Sequence, residues 1–227
     1  MTSVVEIADR RPEPWCRPAT VRVALAGCGA VGSALVRELA NRRDALESRH
    51  GMRVELTRVL VRDVARDRDA ALDRSLFTAD LDDFLRADAD VVIEAIGGID
   101  PARCILESAL RRGREVITAN KELLAEHGTS LTALAQQHGA ALRYDAAVGG
   151  GVPILRLLDD ALGAGIPARV RGIFNGTTNF VLTRLERGAS LDAALAEARR
   201  AGFAEADASR DLDGRDAAAK IRLVAWA

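Results

Sequence analysis

Apolar positions along the chain recur with two periods, and segments of the two kinds alternate. Val21-Arg22-Val23-Ala24-Leu25-Ala26 is a short β-rich run that stops at a glycine cluster. Beyond it Val31, Leu35, Leu39 and Leu46 recur at helical spacing. Arg53 to Val61 reads as a second strand, followed by Arg62-Asp63. Asp90 to Ile96 reads as another, closed by Gly97-Gly98. Pro101 opens a helix near Cys104 to Arg112, at a position where its missing N–H costs little. Glu115 to Thr118 is a strand, and Asn120 reads as the N-cap of a helix carrying Lys121, Leu123, Leu124, Leu131 and Leu134. Ala141 to Tyr144 is the next strand. Strands alternating with helical segments predict an α/β fold with a doubly wound parallel sheet covered on both faces.

From Gly149 the texture changes. Gly149-Gly150-Gly151-Val152-Pro153 is a turn before a helix over Ile154 to Leu162. Arg169 to Phe174 reads as a strand, and Asn175-Gly176-Thr177-Thr178-Asn179 as a polar turn. Phe180 to Leu185 and Leu191 to Arg200 are helical, Gly202 stops the second, and a final helix starts near Gly214. The expected organisation is a flexible extension over residues 1–20, a nucleotide-binding domain over 21–148 and a partial substrate domain over 149–227.

Composition narrows the field of functions. The 227 residues are 48% hydrophobic and 29% charged, ordinary for a soluble globular protein. A net charge of −1 and 4% aromatics call for no nucleic acid and no anionic membrane as partner. The three cysteines, Cys16, Cys28 and Cys104, form no CxxC, so neither a disulfide framework nor a zinc site is indicated, and a reducing cytoplasmic setting is expected. The N-terminal stretch carries Pro12, Pro14 and Pro18 amid charges and has no apolar core of a secretory signal.

Two stretches carry chemistry. Gly27-Cys28-Gly29-Ala30-Val31-Gly32 is G-x-G-x-x-G between a strand and a helix, the dinucleotide fingerprint of a Rossmann-type fold. The first two glycines let the backbone turn and approach a pyrophosphate, and the third lets helix and strand pack closely. A purely structural glycine turn is the competing explanation. Asp63, at the end of the second strand, could accept from a ribose 2′-hydroxyl, whereas Arg62, Arg66 and Arg68 could embrace a 2′-phosphate. A solvated charge run would look the same; the balance leans slightly to NADP over NAD.

The second stretch, Gly202 to Lys220, crowds five carboxylates together and ends in a lysine. Such a cluster can hold a small zwitterion and move a proton. A calcium loop is excluded, because setting Gly214 at its glycine position places Lys220 where a bidentate Glu is required. Asp216 and Lys220 are also spaced as an ordinary helix pair, worth about 0.3 kcal/mol. His50, His127 and His138 lie in polar settings away from strand ends and read as surface residues, which leaves lysine as the group for proton transfer.

Taken together these blocks closely resemble homoserine dehydrogenase. They run in order: the glycine loop, Glu94-Ala95-Ile96-Gly97-Gly98, Val116-Ile117-Thr118-Ala119-Asn120-Lys121, Tyr144 to Pro153, Gly172 to Phe180, and the acidic segment through Lys220. The resemblance implies NAD(P)-linked interconversion of L-homoserine and L-aspartate 4-semialdehyde; the competing expectations are a related oxidoreductase of another amino-acid semialdehyde and a non-catalytic NAD(P)-binding fragment. It implies Lys220 and Lys121 as the catalytic lysines, and Glu205, Asp216, Asp211, Gly176 and Thr177 as substrate contacts. Gly27, Gly29, Ala30, Val31, Gly32, Arg62, Asp63, Ile96, Gly97 and Lys121 would bind the cofactor. The backbone carbonyls of Asp145, Val148, Gly150 and Val152 would hold a structural sodium ion. It further implies an amino-acid-like small-molecule substrate, a homo-oligomer (a dimer in the family) and an incomplete α+β domain after the nucleotide domain. Phe203 stands where the family commonly has tyrosine, and Ala208 where it has proline. Family members continue beyond the helix bearing Lys220, so the chain is expected to be a truncated form, a weak catalyst alone, and prone to self-association.

Overall fold

The computed structural model describes residues 19–66, 73–162, 165, 169–204 and 208–226. Six strands, β1 (Ala19–Ala26), β2 (Met52–Leu60), β3 (Phe77–Thr78), β4 (Val91–Glu94), β5 (Glu115–Thr118) and β6 (Leu142–Arg143), form one sheet in the order β3-β2-β1-β4-β5-β6. The pairs β1–β2, β1–β4 and β2–β3 are parallel. This is the strand order of the doubly wound dinucleotide-binding fold, whose order reverses between β1 and β4. Val23, Ala24, Leu25 and Ala26 are all buried, as expected of a strand covered on both faces. Around Leu25, the buried side chains of Val36, Val59 and Val61 form a core cluster.

The described residues divide into two compact units. One comprises those of Met1–Ile96, Cys104–Ile117 and Ala133–Leu142; the other those of Gly97–Arg103, Thr118–Thr132 and Arg143–Ala227. In the first unit the start of β1 is clamped to the segment before β4. Asp90 accepts from the backbone N–H of Arg22 and from its guanidinium, both at 2.8 Å. Those hydrogen bonds from Arg22 hold the Asp90 carboxyl below its ordinary range. The opposite ends of β1 and β4 run into loops.

Several expected elements need correction. The helix after the glycine loop is two, α1 (Ala30–Asn41) and α2 (Arg43–His50), because α1 ends at Arg42 and α2 runs to a left-handed Gly51. The strand expected over Arg169 to Phe174 is not a strand, since no neighbour pairs with it among the described residues. The polar turn over Asn175 to Asn179 is the opening of helix α8 (Gly176–Glu186), with Asn175 as its N-cap. Beyond Arg143, the described elements are all helical: α6 (Asp145–Val148), α7 (Ile154–Leu162), α8, α9 (Leu191–Arg200), α10 (Ser209–Leu212) and α11 (Arg215–Trp226). The short β3 and helix α3 (Leu81–Arg86) carried too few apolar positions to show a period; Asp80 caps α3 through Asp82 N–H at 2.8 Å. The helices α4 (Ala102–Arg111) and α5 (Lys121–Gln137) fall where the pattern put them, and Asn120 caps α5 by accepting from Leu123 N–H at 3.0 Å. No described helix is long and apolar enough to cross a membrane.

Candidate active site

In the first unit the site is made of backbone. Gly27 has φ of +98°, and a β-carbon there would lie 2.6 Å from the carbonyl oxygen of Ala95. A β-carbon on Gly32 would run into the carbonyl oxygen of Gly27. These two glycines are therefore required by close approach, of the β4 loop in one case and of α1 to its own turn in the other. Gly29 differs: open space lies where its β-carbon would be. It is the N-cap of α1, and no side chain caps that helix. Gly29, Ala30 and Val31 are exposed while Gly27 and Gly32 are buried. Open space at Gly29 thus adjoins the first turn of α1, whose N–H groups have no side-chain cap, the arrangement suited to a phosphate anion. On the β4 side, buried Glu94 accepts from Ile96 N–H at 2.9 Å and shapes the turn.

At the end of β2, Arg62 and Asp63 are both exposed. Asp63 accepts from Ala65 N–H at 2.8 Å, a local turn that leaves its carboxylate near the strand end. Arg68, the third arginine of that group, lies outside the described residues, as does Glu205 of the acidic segment.

In the second unit the site is made of side chains. Asp216 on α11 is 7% exposed and joins two lysines. Its Oδ1 pairs with the ammonium of Lys121, the first residue of α5. Its Oδ2 accepts from Lys220 Nζ at 2.9 Å and from Asn175 Nδ2 at 2.8 Å. Burial pushes the Asp216 carboxyl up, but hydrogen bonds from Lys121, Asn175 and Lys220 outweigh it and hold the group at about 2. Lys220 Nζ also donates to the Phe174 carbonyl at 2.9 Å. Asp211 accepts from Asn175 Nδ2 at 2.7 Å and from Thr177 Oγ1 at 2.9 Å. Gly176 sits exposed at the first turn of α8.

Lys121, Asp211 and Asp216 line a cavity of about 620 Å³ together with Phe203, Arg215 and Glu122. Both signs of charge meet there, which suits a zwitterion. Phe203 stacks on Phe180 with ring centroids 4.9 Å apart, so it contributes an apolar wall instead of a hydroxyl. Trp226 of α11 packs over Gly128 of α5, where a β-carbon would lie 2.9 Å from the indole, and stacks on Tyr144 at 5.1 Å. That contact fixes the helix bearing Lys220 against the helix bearing Lys121.

The expected pair of Asp216 with Lys220 is thus present, but as half of a lysine–carboxylate–lysine arrangement. Asn175 was absent from the expected site residues. Its available signal was the residue type, since Asn is a preferred N-cap, but a cap gives no hint of the carboxylates that its amide nitrogen reaches. Of the expected cation ligands, Asp145 O already accepts from Gly149 N–H at 3.0 Å and Val152 O from Ile154 N–H at 2.8 Å. Of the histidines, His50 and His138 are exposed and His127 is half-buried on α5.

A sheet with its order reversing at a glycine turn, and an uncapped helix following that turn, define a dinucleotide-binding α/β protein of the Rossmann type. A sequence model described as the NAD binding domain of homoserine dehydrogenase matches residues 27–145, and one described as homoserine dehydrogenase matches residues 153–227. The chain belongs to the homoserine dehydrogenase family. It is 40% identical over 207 residues to the homoserine dehydrogenase of Bacillus subtilis, covering 90% of this chain and 48% of that protein. It is 42% identical over 208 residues to that of Mycobacterium leprae, covering 91% and 47%. A crystal structure of a homoserine dehydrogenase from Thiobacillus denitrificans superposes with a TM-score of 0.76 at 37% identity, over 91% of this chain and 48% of the other. The chain spans about half the length of the curated relatives it matches.

Proposed function

We propose that this chain carries out the NAD(P)-dependent interconversion of L-homoserine and L-aspartate 4-semialdehyde. The observation that carries the reading is the Lys121–Asp216–Lys220 arrangement beside a cavity of about 620 Å³ in a chain of this family. The dinucleotide would be held at the glycine loop, with its pyrophosphate on the first-turn N–H groups of α1. The nicotinamide, when bound, supplies or accepts the hydride at the substrate's C4. In aldehyde reduction Lys220 gives a proton to the oxygen that gains charge as hydride arrives; in the reverse direction it takes the hydroxyl proton back. Phe174 O and Asp216 Oδ2 orient its ammonium for this. Lys121 is the second cation at the reacting oxygen, and Asp211 with Glu205 holds the substrate ammonium. Gly176 and Thr177 form the turn against which the amino acid rests.

The carbonyls of Asp145, Val148, Gly150 and Val152 complete the proposal as a neutral oxygen set for sodium. The bonds that Asp145 and Val152 already accept leave each one lone pair for it. The deciding experiment is NAD(P)H oxidation by the purified chain with aspartate 4-semialdehyde. Weak oxidation that depends on the aldehyde is expected from this chain alone; cofactor binding with no oxidation would reduce the chain to a dinucleotide-binding module.

A further inference from the structure

Asn175 is 7% exposed, and all three hydrogen-bonding groups of its side chain are engaged. Oδ1 accepts from Thr178 N–H at 2.7 Å and so caps α8. The two hydrogens of Nδ2 go one to each carboxylate, Asp211 Oδ1 at 2.7 Å and Asp216 Oδ2 at 2.8 Å. The other donor to Asp211, the Thr177 hydroxyl, has one proton and faces two acceptors, Asp211 Oδ2 and Phe203 O. Asn175 is therefore the donor to Asp211 that no second acceptor diverts. Its amide also shares Asp216 Oδ2 with Lys220, whose ammonium rests on the carbonyl of the preceding residue, Phe174.

We propose that Asn175 is a positioning residue, fixing the carboxylates of Asp211 and Asp216 and, through Asp216, the ammonium of Lys220. The inference rests on the function proposed above. An amide suits the place because it is neutral and carries two donors. A carboxylate there would keep the cap but donate nothing, and would set three acids side by side.

Asn175→Asp separates the two roles, because Asp caps a helix about as well as Asn. The charged groups at the position are Asp211 and Asp216, which Asn175 touches, and Lys121 and Lys220, which pair with Asp216. Adding a third carboxylate raises the proton affinity of the acid group in the folded state above its unfolded value. The variant is then most destabilised above that raised range, and the deficit shrinks as pH falls toward the ordinary carboxylate range. Thermal melts of the full chain from mildly alkaline to mildly acidic pH read this without any turnover. A gap from wild type that is wide in alkali and narrows in acid is expected. No gap, or a gap constant with pH, overturns the proposal and leaves Asn175 as a cap only.

The same variant, assayed with homoserine and the dinucleotide, should lose about 100-fold in kcat, with KM changed much less and part of the loss recovered at lower pH. Unchanged kcat with the pH-dependent gap intact would also overturn it, since the carboxylates would then not govern the lysine. If wild type itself turns over nothing, the function proposed above fails while the melts still judge the role of Asn175.

Discussion

The glycine loop of the first unit and the lysine cluster of the second make candidate binding surfaces by opposite means. The loop has no functional side chain; its chemistry comes from N–H groups at an uncapped helix end and from the absence of β-carbons at Gly27, Gly29 and Gly32. The cluster is side chains almost throughout, with Asp216 buried and each of its oxygens paired to a lysine. A backbone site tolerates most changes around it and fails where a β-carbon intrudes. A side-chain site tolerates backbone drift less, because Lys121 and Asp216 are 95 residues apart and meet only when α5 and α11 are packed.

The largest effect should come from removing the lysine proposed to transfer the proton. Lys220→Ala is expected to lower kcat by about 1,000-fold while dinucleotide affinity, measured by titration, stays near wild type. Near-normal turnover would return Lys220 to the status of an ordinary helix partner and break the contrast. Gly32→Ala is the matching test on the backbone side. Its β-carbon collides with the Gly27 carbonyl, so stability should fall by about 1–3 kcal/mol in denaturant melts, together with dinucleotide affinity. An unaffected Gly32→Ala variant would show that the turn yields without cost.

Acid should single out the side-chain site. Asp216 is held at about 2 against an ordinary 3.8, so its stabilising share is present above pH 3.8 and is lost as pH falls through about 2. The loss is about 2 kcal/mol, and Asp216→Asn should flatten that part of the stability profile. An acid limb identical in both proteins would assign it to other carboxylates. The smallest effect concerns the cofactor's 2′ position. Arg62 is exposed, so Arg62→Ala should weaken NADP by about 1 kcal/mol, roughly fivefold, and NAD less. Equal weakening of both would show that Arg62 does not read the 2′-phosphate.

Legibility followed the same division. Strands β1, β2, β4 and β5 and helices α4, α5, α7 and α9 lie where period and caps put them, because each carries enough apolar residues to show its repeat. The glycine loop was legible because its requirement is local: three glycines between one strand and one helix. The segment before α8 reads as a strand in the sequence because Val170 and Ile173 are strand-type residues, while a strand exists only if another pairs with it. Asn175 lies within the block Gly172 to Phe180, where nothing in the linear pattern shows which carboxylates its amide will meet.

The sequence by itself determined the doubly wound sheet, the glycine turn between its first strand and helix, and the types of residue available for acid–base chemistry. These depend on periodicity, on φ angles open to glycine and on charge, all of which a linear chain displays. Only the tertiary structure decided that Lys121 and Asn175 join the Asp216–Lys220 pair, and that Trp226 packs on Gly128 to hold the two lysine helices together. Those contacts join residues far apart in the chain, and a hydrogen bond or an ion pair depends on distance and burial, which appear only when the helices have packed.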